Sequence, residues 1–283
     1  MNSQKGFLFT LGIIFFASTL IFYAQGFYES TQNLERKVIS SSTPLNIIQL
    51  NEDLAFDLLN IFNLSFDVNS LNNSVKIIGE SSFDYSEVDS INSFYSFLNS
   101  TYFLRSTYSK TLDLSNLLDG SAEFFLGSNT RFDYNYSDSI VLYSTNSSPL
   151  NQVDLIIKTN GVLSSYEWIE SINPVNENNF SISINYSDDS NIIVINKSVD
   201  NNSLSYLNLI YPDGNFLIKL GSVSVGGIDY NGVISIKPNS SQLIEYELDS
   251  SYKRAYLYPV LINSILSVSS DKFDSNSFIK LFK

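Results

Sequence analysis

From Gly6 to Tyr28 the chain carries no charged side chain for 23 residues, and within that run Phe7 to Ala24 is apolar except for Thr10, Ser18 and Thr19. A helix rises about 1.5 Å per residue, so Phe7 to Ala24 covers about 27 Å and extension to Tyr28 about 33 Å, against a hydrocarbon core of about 30 Å. A helix of this length with no polar face has nothing to present to water, which predicts a membrane-spanning helix over a buried core helix. Only Lys5 and the α-amino group are positive on the near side, while Glu29, Glu35, Arg36 and Lys37 flank the far side. The nearer positive charge favours an inside N-terminus and an outside C-terminus.

The composition of the remainder agrees with an exported domain and excludes several chemistries. The chain has no histidine and no cysteine. It therefore lacks the imidazole or thiol that a Ser/His/Asp triad, a cysteine nucleophile, a disulfide framework or a Cys/His zinc site requires. With 16 basic against 29 acidic side chains the net charge is −13, and the arginines are too scattered to form a phosphate-binding stripe, so no nucleic-acid partner is expected. The 18 tyrosines and 21 phenylalanines supply enough apolar surface for a sizeable core, which argues against disorder. Ten Asn-x-Ser/Thr sequons, at Asn63, Asn72, Asn99, Asn135, Asn146, Asn179, Asn185, Asn196, Asn201 and Asn239, all follow the apolar run. Chance pairing at this Asn, Ser and Thr content gives about seven, so the excess is mild.

Three fates are open to the apolar segment. It serves as an uncleaved anchor; or it is a secretory signal, with Lys5 as the charged region and Ala24-Gln25-Gly26 as a small-x-small site cut before Phe27. The third rests on Gln4-Lys5-Gly6-Phe7, a charged residue and a glycine directly ahead of the oily helix. This resembles the class III leader of type IV prepilins and archaeal pilin-like proteins over roughly the first 26 to 40 residues. The resemblance implies cleavage between Gly6 and Phe7, with Lys5 as the preceding charge, and an apolar helix kept on the mature chain. Many pilins place a glutamate at the fifth mature position; here that position is Leu11, so the resemblance does not carry filament incorporation with it. Phe27, Thr31, Leu34 and Val38 continue one amphipathic stripe until Ser40-Ser41-Ser42-Thr43-Pro44 interrupts it.

The spacing predicts an α+β chain in three parts: a membrane helix and stalk over 1–42, a mixed helical subdomain over 43–120, and an antiparallel, sandwich-like β-rich domain over 121–283. Thr43 and Pro44 start a helix whose buried stripe is Ile47, Leu50, Leu54, Leu58 and Ile61. Short strands are expected near Phe66 to Val68 and Val75 to Ile78. Ser86 and Asp89 form a capping box for a second helix carrying Val88, Ile91, Tyr95, Leu98 and Tyr102, running to about Ser109. From Glu123 the period becomes two, most clearly at Phe180, Ile182, Ile184 and Tyr186. Turns are expected at Asp188-Asp189, Pro212-Asp213-Gly214-Asn215 and Gly226-Gly227, and Asn231-Gly232 reads as a type I′ hairpin between Ile228 to Tyr230 and Val233 to Ile236.

Candidate chemistry is sparse. Asp133, Asn135 and Ser137 share the spacing that opens a calcium loop, but Asp138 occupies the glycine position and Ser144 the closing glutamate position, so the polar face of a strand is expected. Asp188 and Asp189 read as turn formers. Glu167 and Glu170 flank Trp168, the only tryptophan, yet the carboxylate separation that glycoside hydrolysis needs is spatial and sequence spacing does not supply it. The alternating Phe132, Tyr134, Tyr136 and Tyr252, Tyr256, Tyr258 read mainly as packing residues, with a minority left for a binding patch. No catalytic, cofactor-binding or metal-ligating residue is assigned; the processing residues are Lys5, Gly6 and Phe7. The expectation is a single-pass membrane protein with an extracellular C-terminal domain, partnered by lipid and by other subunits through its N-terminal helix. The alternative is a secreted or anchored module that binds glycan or an adhesion partner.

Overall fold

The computed structural model describes Gln25 and residues 48–81, 86–103, 109–135, 139–144, 149–170, 179–225, 228–238, 243–270 and 273–280. The chain forms two compact units, Met1–Leu50 and Asn51–Lys283. Of the first, only Gln25, helical and exposed, and residues 48–50 are described; Lys5, Gly6, Phe7, the apolar run and the stalk lie outside the described residues. Among the described residues no helix is long and apolar enough to cross a membrane.

Helix α1 spans 48–61, and Leu54, Ala55, Leu58, Leu59 and Phe62 are buried while Ile61, at the end of the expected stripe, is half-buried. It stops at Asn63, whose φ of 50° reverses the chain in the left-handed region that asparagine tolerates. Strands β1 (Leu64–Asn69) and β2 (Ser74–Ser81) follow, then α2 (Ser86–Phe97), a π-helical turn Leu98–Phe103, β3 (Ser109–Asp113) and the short α3 (Ser115–Leu118). The rest is strand: β4 (Ser121–Gly127), β5 (Thr130–Asn135), β6 (Ser139–Ser144), β7 (Leu150–Thr159), β8 (Ser165–Ile169), β9 (Asn179–Ser187) and β10 (Ile192–Asp200). Then come β11 (Leu204–Tyr211), β12 (Gly214–Val225), β13 (Ile228–Pro238), β14 (Ile244–Tyr252), β15 (Leu257–Ser270) and β16 (Phe273–Lys280).

Two sheets result, one ordered β1-β2-β14-β7-β9-β10 and one ordered β16-β15-β4-β5-β6-β13-β12-β11-β8, with β3 also on β15. Among the described residues every pairing is antiparallel except β7 with β9, because β8 leaves for the other sheet between them. The antiparallel β-rich reading of the second half therefore holds. Strands β1 and β2, from the stretch read as a mixed helical subdomain, pair with each other, β2 hydrogen-bonds to β14 in the smaller sheet, and β3 joins the larger one.

Period-two patterning puts the apolar residues of both sheets on a shared interior. Phe180, Ile182, Ile184 and Tyr186 of β9 are all buried, as the alternation predicts. At the interior, Phe66 of β1 meets Phe124 of β4 and Phe132 of β5 with ring centroids 5.0 and 5.7 Å apart. Phe62, at the end of α1, packs edge-on against Phe124 and Tyr134 at 5.9 and 6.0 Å. The edge of the larger sheet is held by α1: the Asn51 amide donates to the Phe278 carbonyl at 3.1 Å and accepts from the Lys280 N–H at 2.7 Å, standing in for a neighbouring strand.

Two expectations from the sequence are overturned. Ser109 opens strand β3 and is no part of the second helix, which is α-helical only to Phe97. Asn231-Gly232 is no hairpin turn: β13 runs through it, pairing with β12 from Val225↔Ile228 onward, and the pairing shifts register between Gly221 and Val223. Glycine with φ above zero serves a bulge as well as a turn, and Gly221 and Gly232, at φ 92° and 70°, build a bulge here. The turn 200–203 docks on it, with Ser222 N donating to the Ser203 carbonyl at 3.3 Å and Gly232 N to that of Asn201 at 3.4 Å. A Cβ on Gly221 would collide with the Ser203 carbonyl oxygen.

Replacing Phe66 with alanine should cost about 3–5 kcal/mol of unfolding free energy, because it empties the contact between the sheets. Leu71→Ala, at a position 94% exposed, should shift it by less than about 0.5 kcal/mol. Urea denaturation of the two purified variants, compared with wild type, checks both.

Candidate functional site

The outward face of the smaller sheet is where polar and apolar groups converge in a concavity. On β2, β14 and β7 the outward positions fall in register, placing Glu80, Glu245 and Lys158 in one row and Ile78, Glu247 and Ile156 in the next. The end of α1 and the start of β1 add Leu59, Asn60, Asn63 and Ser65, and the whole encloses a groove of about 520 Å³. Outward isoleucines are the unusual feature, since on a half-solvated sheet those positions are normally polar; Ile78 is 43% exposed and Ile156 half-buried. Gly79 keeps the floor thin. The Tyr246 ring, paired opposite it, lies so close that an added Cβ would strike the tyrosine hydroxyl.

The groove carries three carboxylates, two paired with a lysine and one with a neutral amide. Lys76 Nζ reaches Glu247 Oε1 at 2.7 Å, and that hydrogen bond is the main cause of the raised Lys76 pKa. Lys158 Nζ lies 3.6 Å from Glu245 Oε2, and the Asn63 amide donates to Glu80 Oε2 at 3.0 Å. Like charges still stand directly opposite one another at Glu80↔Glu245 and Asp249↔Asp154. Burial, then the Asp154 charge, raises the Asp249 pKa. An apolar floor with a rim of acceptors suits binding of a hydrogen-bond donor.

The residues singled out in the sequence fall elsewhere and are not brought together. Asp133 sits on β5 with its carboxylate paired to Arg131, whose Nη2 group donates to Oδ2 at 2.9 Å while Nε lies 2.8 Å from Oδ1 as an ion-pair contact. The strand reading of this stretch is the one the structure carries. Asn135 ends the same strand, Ser144 is fully buried in β6, and Ser137, Asp138 and Tyr136 lie outside the described residues. Arg131 also approaches Glu123 at 3.7 Å and lies over the Tyr143 ring, 4.6 Å from its centroid. Burial pushes the Asp133 carboxyl up to about 6, opposed by the Arg131 charge and reinforced by that of Glu123. The same burial pushes the Tyr143 hydroxyl to about 12.

Asp188 is a turn former, as its sequence context predicts, and more. Its carboxylate accepts from the Ser190 and Asn191 N–H groups at 2.7 and 2.6 Å, from Leu163 N–H at 2.8 Å and from the Tyr186 hydroxyl at 2.9 Å. Burial works to raise its pKa, but the hydrogen bonds from Leu163, Asn191, Ser190 and Tyr186 outweigh it and hold the carboxyl far below the usual range. Glu167 and Trp168 are successive residues of β8 and face opposite sides of the sheet, so no carboxylate pair flanks the ring. Lys197 of β10 instead places its ammonium 6.0 Å from the Trp168 ring centroid. Phe132, Tyr134 and Tyr252 are core residues, while Tyr256 is 82% exposed. Among the described residues no group of three or more acidic side chains is placed to hold a metal ion.

Sequence reasoning missed the groove, since its lining comes from four separated stretches of chain; the signal was apolar residues at outward parity, Ile78 on β2 and Ile156 on β7. No known protein family matches the chain, and neither a curated protein nor a solved structure matches it.

The raised Asp133 pKa fixes the sign of a pH dependence. Between about pH 4, where the unfolded carboxyl titrates, and pH 6 the folded protein holds the proton more tightly, so this group's contribution to stability falls as pH rises through that window. Asp133→Asn should remove that component, giving a flatter plot of unfolding free energy between pH 4 and 6. An unchanged slope in denaturant titrations would assign the window to other carboxyls.

Proposed function

We propose that this chain is a membrane-anchored extracellular surface protein, a pilin-like structural or interaction subunit that does no chemistry of its own. The observation that carries the reading is the 23-residue charge-free run from Gly6 to Tyr28, placed ahead of a unit, Asn51–Lys283, that closes its own core. The free energy for residence comes from moving that run from water into lipid. The partners are therefore bilayer lipid and neighbouring copies or other subunits through the same helix. The Lys5-Gly6-Phe7 junction supports processing by the leader peptidase that the resemblance implies. A strongly acidic ectodomain with an acceptor-rimmed groove supports interaction over catalysis.

The groove also favours a second reading, a secreted or anchored β module that binds a glycan or an adhesion partner through the face of β2, β14 and β7. The two differ at the mature N-terminus. Mass spectrometry of the protein from its native host should find a chain beginning at Phe7; a start at Phe27 would make it secreted, and a start at Met1 or Asn2 a plain anchor. Leu11→Arg places a charge inside the apolar run, at a cost of up to about 2.5–3.5 kcal/mol. The variant should leave the membrane fraction; unchanged fractionation would remove the spanning assignment.

A further inference from the structure

The open edge of the smaller sheet points to a modification site. Strand β10 is the last of its sheet and pairs only with β9 among the described residues. Its outward face shows Ile192 and Val194, 82% and 59% exposed, followed by Asn196 and Ser198, both exposed. Opposite them on β9 stand Ser187, Asn185, Ser183 and Ser181. None of these eight outward residues is charged, although outward charge is a common means of keeping an edge strand from pairing with another chain. Lys197, at the intervening inward position, is the one charge on this stretch of the edge. A nine-residue edge with bare aliphatic side chains is a template for strand addition and needs a cover.

A cover is written into the same face. Asn196-Lys197-Ser198 is an N-glycosylation sequon, and period-two geometry presents its acceptor amide and its hydroxyl side by side, outward, beside Val194. Four other sequons among the described residues are less suited to this task. Asn201 is only 3% exposed, the Asn63 amide is bonded to Glu80, and Asn185 is half-buried. Asn72 is exposed but lies in the β1–β2 turn, at the far edge of the sheet.

We propose that Asn196 carries an N-linked glycan that shields the β10 edge. The donor is a lipid-phosphate-linked sugar. The Asn196 amide nitrogen bonds to its anomeric carbon, the carbon–oxygen bond to phosphate breaks, the phosphate leaves with the electron pair, and the amide proton passes to the transferase's base. This rests on the extracellular reading, since such donors are used on the outer side of a membrane.

The test is fragment-ion mass spectrometry of the full chain purified from its native host, in a sample where protease added to intact cells establishes whether the chain is outside. The expected result is a hexose-containing mass on Asn196, none on Asn201, and loss of the former in Asn196→Gln. That variant should also shift the detergent-solubilised protein towards larger species in size-exclusion chromatography. A bare Asn196 on a chain that outside protease digests overturns the glycan. Resistance of the chain to that protease overturns the extracellular reading instead. A glycan whose removal leaves the elution unchanged overturns the shielding role.

Discussion

The fold depends on a seam of aromatic rings between its two sheets. Each sheet alone has an apolar face that water would contact, and Phe62, Phe66, Phe124, Phe132 and Tyr134 close that face by packing tilted or edge-to-face at 5.0 to 6.0 Å. Filling an interior with tyrosine as well as phenylalanine brings hydroxyls into a dry place, where an unpaired one costs about 1–3 kcal/mol. Most are answered locally. Tyr134 meets Ser81 at 2.6 Å, Ser250 donates to Tyr252 at 3.2 Å, and Tyr186 lies 2.9 Å from Thr159 and 3.1 Å from Tyr211. Tyr186 donates its own hydrogen bond to the Asp188 carboxylate, so a surface turn terminates a chain of buried hydroxyls.

Edges are the second concern of a protein built from two open sheets, and the edge strands β16, β8 and β10 are treated differently. Asn51 satisfies β16 with a side-chain amide that imitates backbone. Strand β8 is kept to five residues, and Lys197 sits inward beside its tryptophan. Strand β10 is the long one, and its outward face is uncharged. The acidic face of β2, β14 and β7 lies further along the same sheet, so the outer surface passes from charged to neutral across the β7–β9 pairing.

How much of this was legible in the sequence follows from how local each determinant is. The alternation in β9 and the helical stripe Leu54, Leu58 are set by residues a few positions apart, and both were readable. Pro212-Asp213 was readable for the same reason, since Tyr211 pairs with Gly214 directly across it. Asn231-Gly232 misled because a positive φ is all the local sequence specifies; whether it turns the chain or bulges it depends on the 200–203 turn that docks there. The second helix was drawn too long because Leu98 continues the helical stripe, while β3 answers to the distant β15. The groove was invisible for a related cause: Ile78, Glu247 and Ile156 become neighbours only through pairings that span most of the chain.

The pairing of β2 with β14 joins residues 74–81 to residues 244–251. A ribosome delivers the first of these long before the last, so the inner edge of β2 stays without its neighbour until residues 244–251 have been made, and contacts of such long range form slowly. Until then the smaller sheet has no centre, because β14 is the strand that joins the β1–β2 hairpin to β7.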